Sequence, residues 1–308
     1  MKDEEAHRKP DILDLDKVNQ ALRNGGFGVG GLEQFWRHVT GRVKKDGKEY
    51  FIKIAANDAV AERTRNEVTW NEQISKLTKL RDIFYVPPIL DTGKLMGRFY
   101  YLTEFVEGRA VATKNPPDLS RLEFWLKKIV LANLYLLQLT GLKFRRDKSQ
   151  ENFVKDPRDY VSKTRSWMKE VGDPKLASLM SVIEGIVGTY EPSINHGDFV
   201  PWHMFDNSTY FTLIDGEAAS SLSPRYYDIA YFYRAVYTSG KSPELAKKHL
   251  NLVRDSLPPD DRDGFVESVV PLIAARIMAG YRDAKIDKNK DTKYLDLAMK
   301  DVLNGNIF

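Results

Sequence analysis

The pattern of apolar and polar positions changes about a third of the way along the chain. Up to residue 106, the apolar residues come in short runs rich in β-branched and aromatic side chains, which is typical of strands. An Asp-Gly pair at 46–47 separates two of these runs and indicates a hairpin. The pattern predicts strands over 35–43, 50–55 and 99–106, and helices over 12–22 and 59–80.

Beyond Gly108 the apolar positions recur at helical spacing over longer stretches. A β-rich part followed by a helix-rich part predicts an α+β fold with two lobes, a first lobe at 1–107 and a second at 108–308. The polar stretch 143–151 is predicted to be an exposed loop. The predicted helices of the second lobe are 119–140, 174–190, 244–256, 261–281 and 291–303.

Composition places the chain among ordinary globular proteins. Of its 308 residues, 42% are hydrophobic and 29% are charged, which excludes a disordered chain. It has no cysteine, which excludes disulfides, thiolate metal sites and a cysteine nucleophile. The net charge of +4 is spread along the chain, so we expect no nucleic-acid partner. The charged start predicts no signal peptide, and no window has the character of a membrane span, so we expect a cytoplasmic protein without a membrane partner.

Two carboxylates follow apolar stretches in the second half of the chain. Asp198 comes after Ile-Asn-His-Gly, and Asp215 comes after Leu-Ile, about one hairpin's length later. Phosphoryl transfer to an alcohol needs one carboxylate to orient and deprotonate the hydroxyl, and another to hold magnesium on the ATP phosphates. The pair therefore predicts an ATP-dependent phosphotransferase, whereas Asp198 alone is more typical of a turn or a cap.

Further charged residues extend this hypothesis. Glu217 comes two residues after Asp215, so on an extended segment both carboxylates point the same way and can face one metal ion. The alternative for Glu217 is a solvated strand end. Lys53 interrupts an apolar strand, where it either faces water or pairs with a helix carboxylate and binds ATP phosphates. Glu67 is the first candidate for that partner, and Glu72 is the second.

The stretch 26–31 is the richest in glycine and matches the spacing G-x-G-x-x-G. A dinucleotide-binding loop needs a strand before it and a helix after it. Here a helical pattern comes before the stretch and a strand pattern after it, which argues against a Rossmann fold. Gly28 and Gly30 therefore belong either to a glycine hairpin that covers phosphates or to a flexible linker.

Three motifs occur in a fixed order: His-Gly-Asp at 196–198, Ile-Asp-Gly-Glu at 214–217 and Arg-Tyr-Tyr-Asp-Ile-Ala at 225–230. In this order they resemble the aminoglycoside phosphotransferase and choline kinase group of small-molecule kinases, which share the protein-kinase-like fold. The resemblance covers about residues 24–240. A protein kinase fits less well, because no Ala-Pro-Glu follows Asp215.

The resemblance implies roles for the charged residues. It makes Asp198 the catalytic base and Asp215 the main magnesium ligand, with Glu217 as a second ligand. Lys53 becomes the lysine that binds phosphates, and Glu67 becomes its ion-pair partner. ATP and Mg²⁺ are the implied cofactors.

The resemblance also implies how the nucleotide and the catalytic loop are held. The segment at 101–108 becomes the hinge between lobes, and the backbone of Glu104, Phe105 and Val106 binds the adenine edge. Asp228 becomes a structural acid that ties the catalytic loop to the helix after it.

One position departs from the family pattern. The family has an asparagine metal ligand five residues after the base, and this chain has His203 there. Imidazole is a poor ligand for magnesium. Either Glu217 and water hold the second ion, or His203 binds a softer ion such as Mn²⁺, or the protein is a catalytically impaired nucleotide-binding protein. His196 and His203 together also leave open another metal site, although His196 is more typical of a loop brace.

The predicted acceptor is a small molecule with a hydroxyl group, and amino sugars, choline-like amines, macrolides and other sugars all stay open. The acids at 260, 261, 263 and 283 either serve a cationic acceptor, cap helices or face solvent. The aromatic residues over 226–237 either line an acceptor site or belong to the core.

Overall fold

The computed structural model describes residues 10–77, 81–287 and 291–308. The start of the chain, where no signal peptide is predicted, lies outside the described residues. The last three residues of the helix predicted over 59–80 also lie outside them. The chain forms two compact units, and each is described by itself. The first unit contains the residues up to Arg109, Phe144–Arg146 and Phe205–Ala219, and the second contains Ala110–Lys143, Asp147–Met204 and Ser220–Phe308. The lobe boundary at residue 107 stays a prediction.

The first unit carries a five-stranded sheet with the order β1-β2-β3-β6-β5, in which neighbouring strands are antiparallel. Asp46 and Gly47 between β2 and β3 have φ of 51° and 76°, as a type I′ turn requires, so the predicted hairpin is confirmed. Its elements are α1 (Leu15–Asn24), β1 (Gly28–Phe35), β2 (His38–Lys45), β3 (Lys48–Ala55), α2 (Asp58–Ile74), β4 (Phe84–Tyr85), β5 (Ile89–Leu95) and β6 (Arg98–Glu104).

One face of this sheet packs on α1. Because side chains alternate along a strand, Ile52 and Ile54 point to that face and Lys53 points to the opposite one. The opposite face is not exposed to solvent, because α2 packs against β3 and β6 there. Lys53 is accordingly only 7% exposed. The cluster on the α1 side consists of Val18, Leu22, Val39, Val43, Ile52, Ile54 and Leu102.

Helix α2 brings buried polar side chains to this second face. It begins after Asn57, whose side chain accepts a hydrogen bond from the backbone of Val60, and it ends at Ile74. Asn66 and Glu67 lie on its buried side, at 2% and 3% exposure. A buried polar residue on a helix needs partners, so α2 is a positioning element as well as a core helix.

The glycine-rich stretch is not a flexible linker, because from Gly28 onwards it lies in β1, the first strand of the β1–β2 hairpin. Gly28 opens β1 opposite Lys44, and the register shifts between Val29 and Gly31. The turn between β1 and β2 is formed by Trp36 and Arg37, well beyond the glycines. Gly31 has a φ of 143°, which explains a glycine at the bulge. A contact of Gly28 and Gly30 with a nucleotide stays a prediction.

The second unit is mainly helical. After strands β7 (Arg109–Ala110), β8 (Thr113–Lys114) and β9 (Pro117–Asp118) come α3 (Leu122–Gln138), α4 (Glu151–Lys155), α5 (Arg158–Val171), α6 (Ala177–Ile183), α7 (Ile186–Thr189) and β10 (Pro192–Asn195). Then follow β11 (Met204–Asp206), β12 (Phe211–Leu213), β13 (Ser220–Pro224), α8 (Tyr227–Arg234), α9 (Pro243–Ser256), α10 (Pro259–Ile286) and α11 (Lys293–Leu303). Of these, β12 belongs to the first unit, and β7 and β11 contain points where the chain passes between units.

Helix α10 is the centre of the second unit, where α5, α6, α8 and α11 pack against it. Its length and composition would allow it to cross a membrane, although the sequence predicts no span. However, 67% of its most apolar window is buried, and the core helix of a soluble protein passes the same test.

The sequence predictions for this unit need two corrections. The single helix predicted over 174–190 is broken into a 3₁₀ turn, α6 and α7, with Gly185 at the break. A Cβ on Gly185 would lie 3.0 Å from Pro271 of α10, so close packing explains a glycine there. The loop predicted over 143–151 contains a 3₁₀ helix, Arg145–Ser149, and the start of α4. The α+β class itself is confirmed.

Candidate active site

A buried ionic cluster lies on the α2 side of the first unit's sheet. The Lys53 ammonium is 2.7 Å from Glu67 Oε2 and 2.7 Å from Asp215 Oδ1. The predicted pairing of Lys53 with Glu67 is therefore present, and the second candidate, Glu72, is not needed. Tyr101 pairs with Lys53 across the sheet and also interacts with Glu67.

The electrostatics of this cluster favour a charged lysine. Burial alone would lower the pKa of Lys53, but the carboxylates of Asp215 and Glu67 raise it well above its ordinary value. Burial raises the pKa of Glu67 to about 7, because one ammonium shared between two carboxylates does not offset the loss of water. The cluster thus holds a permanent cation between two acids of unequal exposure.

Asp215 reaches this cluster through an unusual backbone conformation. It follows β12, whose residues are buried and whose register pairs it in parallel with β4. At Asp215 the chain is in the left-handed region, with φ of 68° and ψ of 45°. Aspartate tolerates this conformation better than most residues. A non-glycine residue held there suggests that the position of its side chain matters.

The structure gives the Glu217 carboxylate two cationic partners. Arg37 Nη2 is 2.7 Å from Glu217 Oε1, and Arg63 Nη1 is 3.6 Å from the same oxygen. The Glu217 side chain is 5% exposed, so it is not the solvated strand end of the alternative hypothesis. Arg37 and Arg63 were not among the predicted residues. The strand predicted over 35–43 is wrong at its start, because Trp36 and Arg37 form the turn between β1 and β2.

Two other contacts hold the segment after Asp215 in place. Asn66 of α2 donates from Nδ2 to the carbonyl oxygens of Glu217 and Ala219, at 3.1 Å and 2.9 Å. Gly216 packs directly on Trp70, because a Cβ at Gly216 would lie 2.4 Å from the indole ring. The conformation of this segment is therefore set by α2.

The predicted hinge lies at the end of β6. Tyr85 of β4 donates its hydroxyl proton to Glu104 Oε2 at 2.7 Å, which fixes the Glu104 side chain. Phe105 and Val106 follow directly, and the Arg42 guanidinium stacks 4.4 Å from the centroid of the Phe105 ring. A cavity of about 380 Å³ in the first unit borders residues 104–107.

The loop that carries Asp198 belongs to the second unit and is held by a different kind of contact. The backbone N–H groups of His196 and Gly197 donate to the two carboxylate oxygens of Asp228, at 2.6 Å and 2.8 Å. Asp228 lies at the start of α8, so the predicted tie between the loop and this helix is confirmed. Burial raises the pKa of Asp228 to about 7, although both N–H groups oppose the shift.

Within this loop, His203 lies next to Asp198. Nδ1 of His203 is 3.1 Å from the carbonyl oxygen of Asp198 and 3.8 Å from Oδ2 of its carboxylate. Because a carbonyl only accepts, Nδ1 carries the proton in this hydrogen bond, and in the neutral ring the lone pair then lies on Nε2. His196 Nδ1 accepts from the backbone N–H of Asp198 at 3.4 Å, so His196 is a loop brace, as expected.

The candidate ligand atoms in each unit indicate which metal ions that unit could bind. In the first unit, Asp215 offers hard carboxylate oxygen, which fits Mg²⁺. In the second unit, His203 offers a nitrogen whose tautomer is set by a backbone hydrogen bond, which suits softer ions. Glu217 already has two guanidinium partners, so its role as a metal ligand stays a prediction.

The fold is that of known aminoglycoside phosphotransferases. The crystal structure of aminoglycoside phosphotransferase APH(4)-Ia matches with a TM-score of 0.64 and 12% identity, over 96% of this chain and 98% of that one. The GDP and kanamycin complex of APH(2")-IIIa matches with a TM-score of 0.57 and 13% identity, over 96% and 99%. At such identities the likeness establishes the fold alone.

A third structure, a thermostable APH(4)-Ia mutant in a ternary complex with ADP and hygromycin B, matches with a TM-score of 0.56 and 12% identity, over 94% of this chain and 97% of that one. No curated protein matches the chain. The sequence model of the phosphotransferase enzyme family matches residues 31–261. Since this match spans well over half of the sequence, the chain belongs to the phosphotransferase enzyme family.

Proposed function

We propose that this protein transfers the γ-phosphoryl group of ATP to a hydroxyl group of a small molecule. The observation that carries the proposal is the Lys53 ammonium, buried and 2.7 Å from both Glu67 and Asp215. A cation held in this way is suited to phosphate oxygens, because the carboxylates keep it charged and in place. Family membership supports the transfer, and the ADP complex of a structural relative supports the nucleotide.

The proposed mechanism gives each charged residue one task. Lys53 binds the phosphates, with Glu67 fixing its direction, and Asp215 would hold Mg²⁺ through carboxylate oxygen. When bound there, the ion would neutralise charge that develops on the phosphate oxygens. Asp198 orients the acceptor hydroxyl and takes its proton. The backbone of residues 104–106 binds the adenine edge, and Tyr85 keeps Glu104 in place beside it.

Two alanine variants test these roles. Asp198→Ala should reduce turnover by about a hundredfold to ten-thousandfold and leave nucleotide affinity nearly unchanged, because it removes only the base. Asp215→Ala should weaken nucleotide binding in the presence of Mg²⁺ and leave metal-free binding less affected. ADP formation and titration calorimetry measure the two effects. Asp159→Ala, at an exposed position on α5, is the control. An Asp198→Ala enzyme with most of its rate would contradict the assigned base.

His203 favours a second candidate function, a nucleotide-binding protein with impaired turnover. Its ring replaces the asparagine of the family pattern, and its Nδ1 is engaged by the Asp198 carbonyl. His203→Asn separates the two functions. A large gain in the Mg²⁺-dependent rate would show that the native loop is impaired. An active wild-type enzyme that prefers Mn²⁺, and loses this preference in the variant, would support catalysis with a softer ion.

A further inference from the structure

Two arginines and two tyrosines meet in the second unit, where α8 packs on α10. Tyr227, Tyr231 and Arg234 come from α8, and Arg276 comes from α10. Arg276 donates to the Tyr227 hydroxyl at 3.0 Å, and its guanidinium carbon lies 4.2 Å from the centroid of the Tyr231 ring. All four residues are half-buried, so the group reaches solvent. We call these four residues the arginine–tyrosine cluster.

Positive charge dominates this cluster. Arg234 donates from Nε to the backbone oxygen of Arg276 at 3.3 Å, and its guanidinium carbon lies 5.8 Å from the centroid of the Tyr231 ring. Its carboxylate partner, Asp283, is 3.5 Å away and half exposed, which makes a weak pair. Among the described residues, no carboxylate forms an ion pair with Arg276, and its buried Nε has no hydrogen-bond partner. Burial and the neighbouring Arg276 lower the pKa of Arg234 below its ordinary value.

The cluster lies beside the loop that carries the proposed base. Phe199, the residue after Asp198, packs on Phe232 of α8 with ring centroids 6.2 Å apart. Burial raises the pKa of Tyr231, and the negative charge of Asp198 raises it further, which places Asp198 within electrostatic reach of the cluster. A molecule whose hydroxyl is held at Asp198 would therefore lie within electrostatic reach of Tyr231 and Arg234.

We infer that the arginine–tyrosine cluster binds an anionic group of the phosphate acceptor, so that the substrate is a hydroxyl compound with a carboxylate or a phosphate. The inference rests on the proposed function for the hydroxyl, but the anion site stands on the cluster alone. A guanidinium fork matches the two oxygens of a carboxylate or phosphate, and two guanidinium groups repel the ammonium groups of a polycation. The site thus differs from the acidic pocket that an aminoglycoside would need.

A panel of matched acceptors tests the charge preference. Glycerol, glycerate and glycerol 3-phosphate form one series, and glucose, gluconate, glucose 6-phosphate and glucosamine form another. With ATP and Mg²⁺ or Mn²⁺, ADP formation should give a kcat/KM at least about tenfold higher for an anionic member than for its neutral parent. The carboxylate and phosphate arms identify which oxyanion is preferred. A preference for glucosamine, or for kanamycin added separately, would overturn the inference.

Variants connect the preference to the cluster. Arg276→Met should raise KM for the anionic acceptor by about tenfold to a hundredfold, as expected for a lost charged hydrogen bond, with little change in KM for ATP. Arg276→Lys keeps the positive charge but lacks the paired N–H donors of the guanidinium. It should therefore recover part of the lost affinity for the anionic acceptor. Arg254→Met is the matched control, since Arg254 also stacks on an aromatic ring, 4.7 Å from the Phe308 centroid, but outside the cluster. Thermal melts confirm that each variant is folded.

Binding measurements keep this inference separate from the kinase proposal. Titration calorimetry of wild type and Arg276→Met with glycerate and with inorganic phosphate needs no turnover. Binding that weakens at least about tenfold in the variant supports the anion site even if no acceptor is phosphorylated. Equal binding to both proteins, or no binding to wild type, would overturn it even if ATP and another acceptor react.

Discussion

Glu67 and Asp228 are both buried carboxylates whose pKa burial raises to about 7, but their partners differ. In the first unit, Glu67 faces the Lys53 ammonium, which also faces Asp215. In the second unit, Asp228 faces two backbone N–H groups, from His196 and Gly197. The first carboxylate holds the charge of a side chain, whereas the second holds the shape of a loop.

This difference matches the work that each region is proposed to do. A lysine shared between two acids can turn towards a phosphate at small cost, because its charge stays compensated by the other partner. A backbone held by two N–H contacts to one carboxylate cannot move without losing both. Binding charge and fixing geometry are thus separated between the units, and five substitutions test that separation.

Loss of the shared cation should have the largest effect. Lys53→Met leaves Glu67 buried without its cation, so the free energy of unfolding should fall by about 3–5 kcal/mol in urea titrations, and turnover should be lost. Adding Glu67→Gln should restore part of the stability but not the turnover. Lys48→Met, on the exposed start of β3, is the control and should cost little. A stable Lys53→Met protein would show that the ion pair does not matter for folding.

Asp228→Asn should cost about 1–3 kcal/mol, because an amide has one acceptor oxygen for two N–H groups. The loss should depend on pH. The folded pKa of Asp228 is raised to about 7 from 3.8, so its contribution to stability is present below about pH 4 and lost as pH rises through 7. The Asp228→Asn variant has no titrating group at this position. Its free energy of unfolding should therefore fall further below that of wild type at pH 5 than at pH 8.

Urea unfolding of wild type and Asp228→Asn at both pH values measures that difference. Asp263→Asn, an exposed aspartate on α10, controls for general charge effects. An equal loss at pH 5 and pH 8 would mean that the Asp228 carboxylate titrates as an ordinary one, and the comparison with Glu67 would fail.

Glu217→Gln separates an ion-pair role from a metal role. If Glu217 mainly holds Arg37 and Arg63, the variant should lose about 1.5–3 kcal/mol of stability and keep its Mg²⁺ dependence. If Glu217 is a second metal ligand, the concentration of Mg²⁺ needed for half-maximal activity should rise instead. Urea unfolding and metal titration of the rate give the two readouts on the same protein.

Substitutions of two glycines should change stability in opposite directions. Gly216→Ala brings a Cβ to 2.4 Å from Trp70 and should destabilise the first unit by about 1–3 kcal/mol. Gly264→Ala on α10 meets open space and should stabilise the second unit by about 0.5–1 kcal/mol. Thermal melts of both variants compare them. An unchanged melting temperature for Gly216→Ala would show that the segment after Asp215 is not set by Trp70.

Local sequence signals predicted much of the fold. The Asp-Gly pair predicted the hairpin between β2 and β3, because turn chemistry acts over four residues. Long amphipathic patterns predicted α3, α9, α10 and α11 to within a few residues at most ends. The pattern over 174–190 was misleading, because periodicity does not reveal that Gly185 must approach Pro271. Helix α5 was missed, since only three of its residues, Tyr160, Val161 and Thr164, are buried.

The sequence by itself determined the class of the protein, its hairpin, the loops that carry Asp198 and Asp215, and the candidate pair of Lys53 and Glu67. These follow from short-range spacing and from ordered motifs. Only the tertiary structure decided that Lys53 also meets Asp215, that Glu217 pairs with Arg37, and that Arg234 and Arg276 share one surface. The reason is physical. The partners of a buried charge are set by packing between segments that are distant in the chain, and local sequence patterns do not predict that packing.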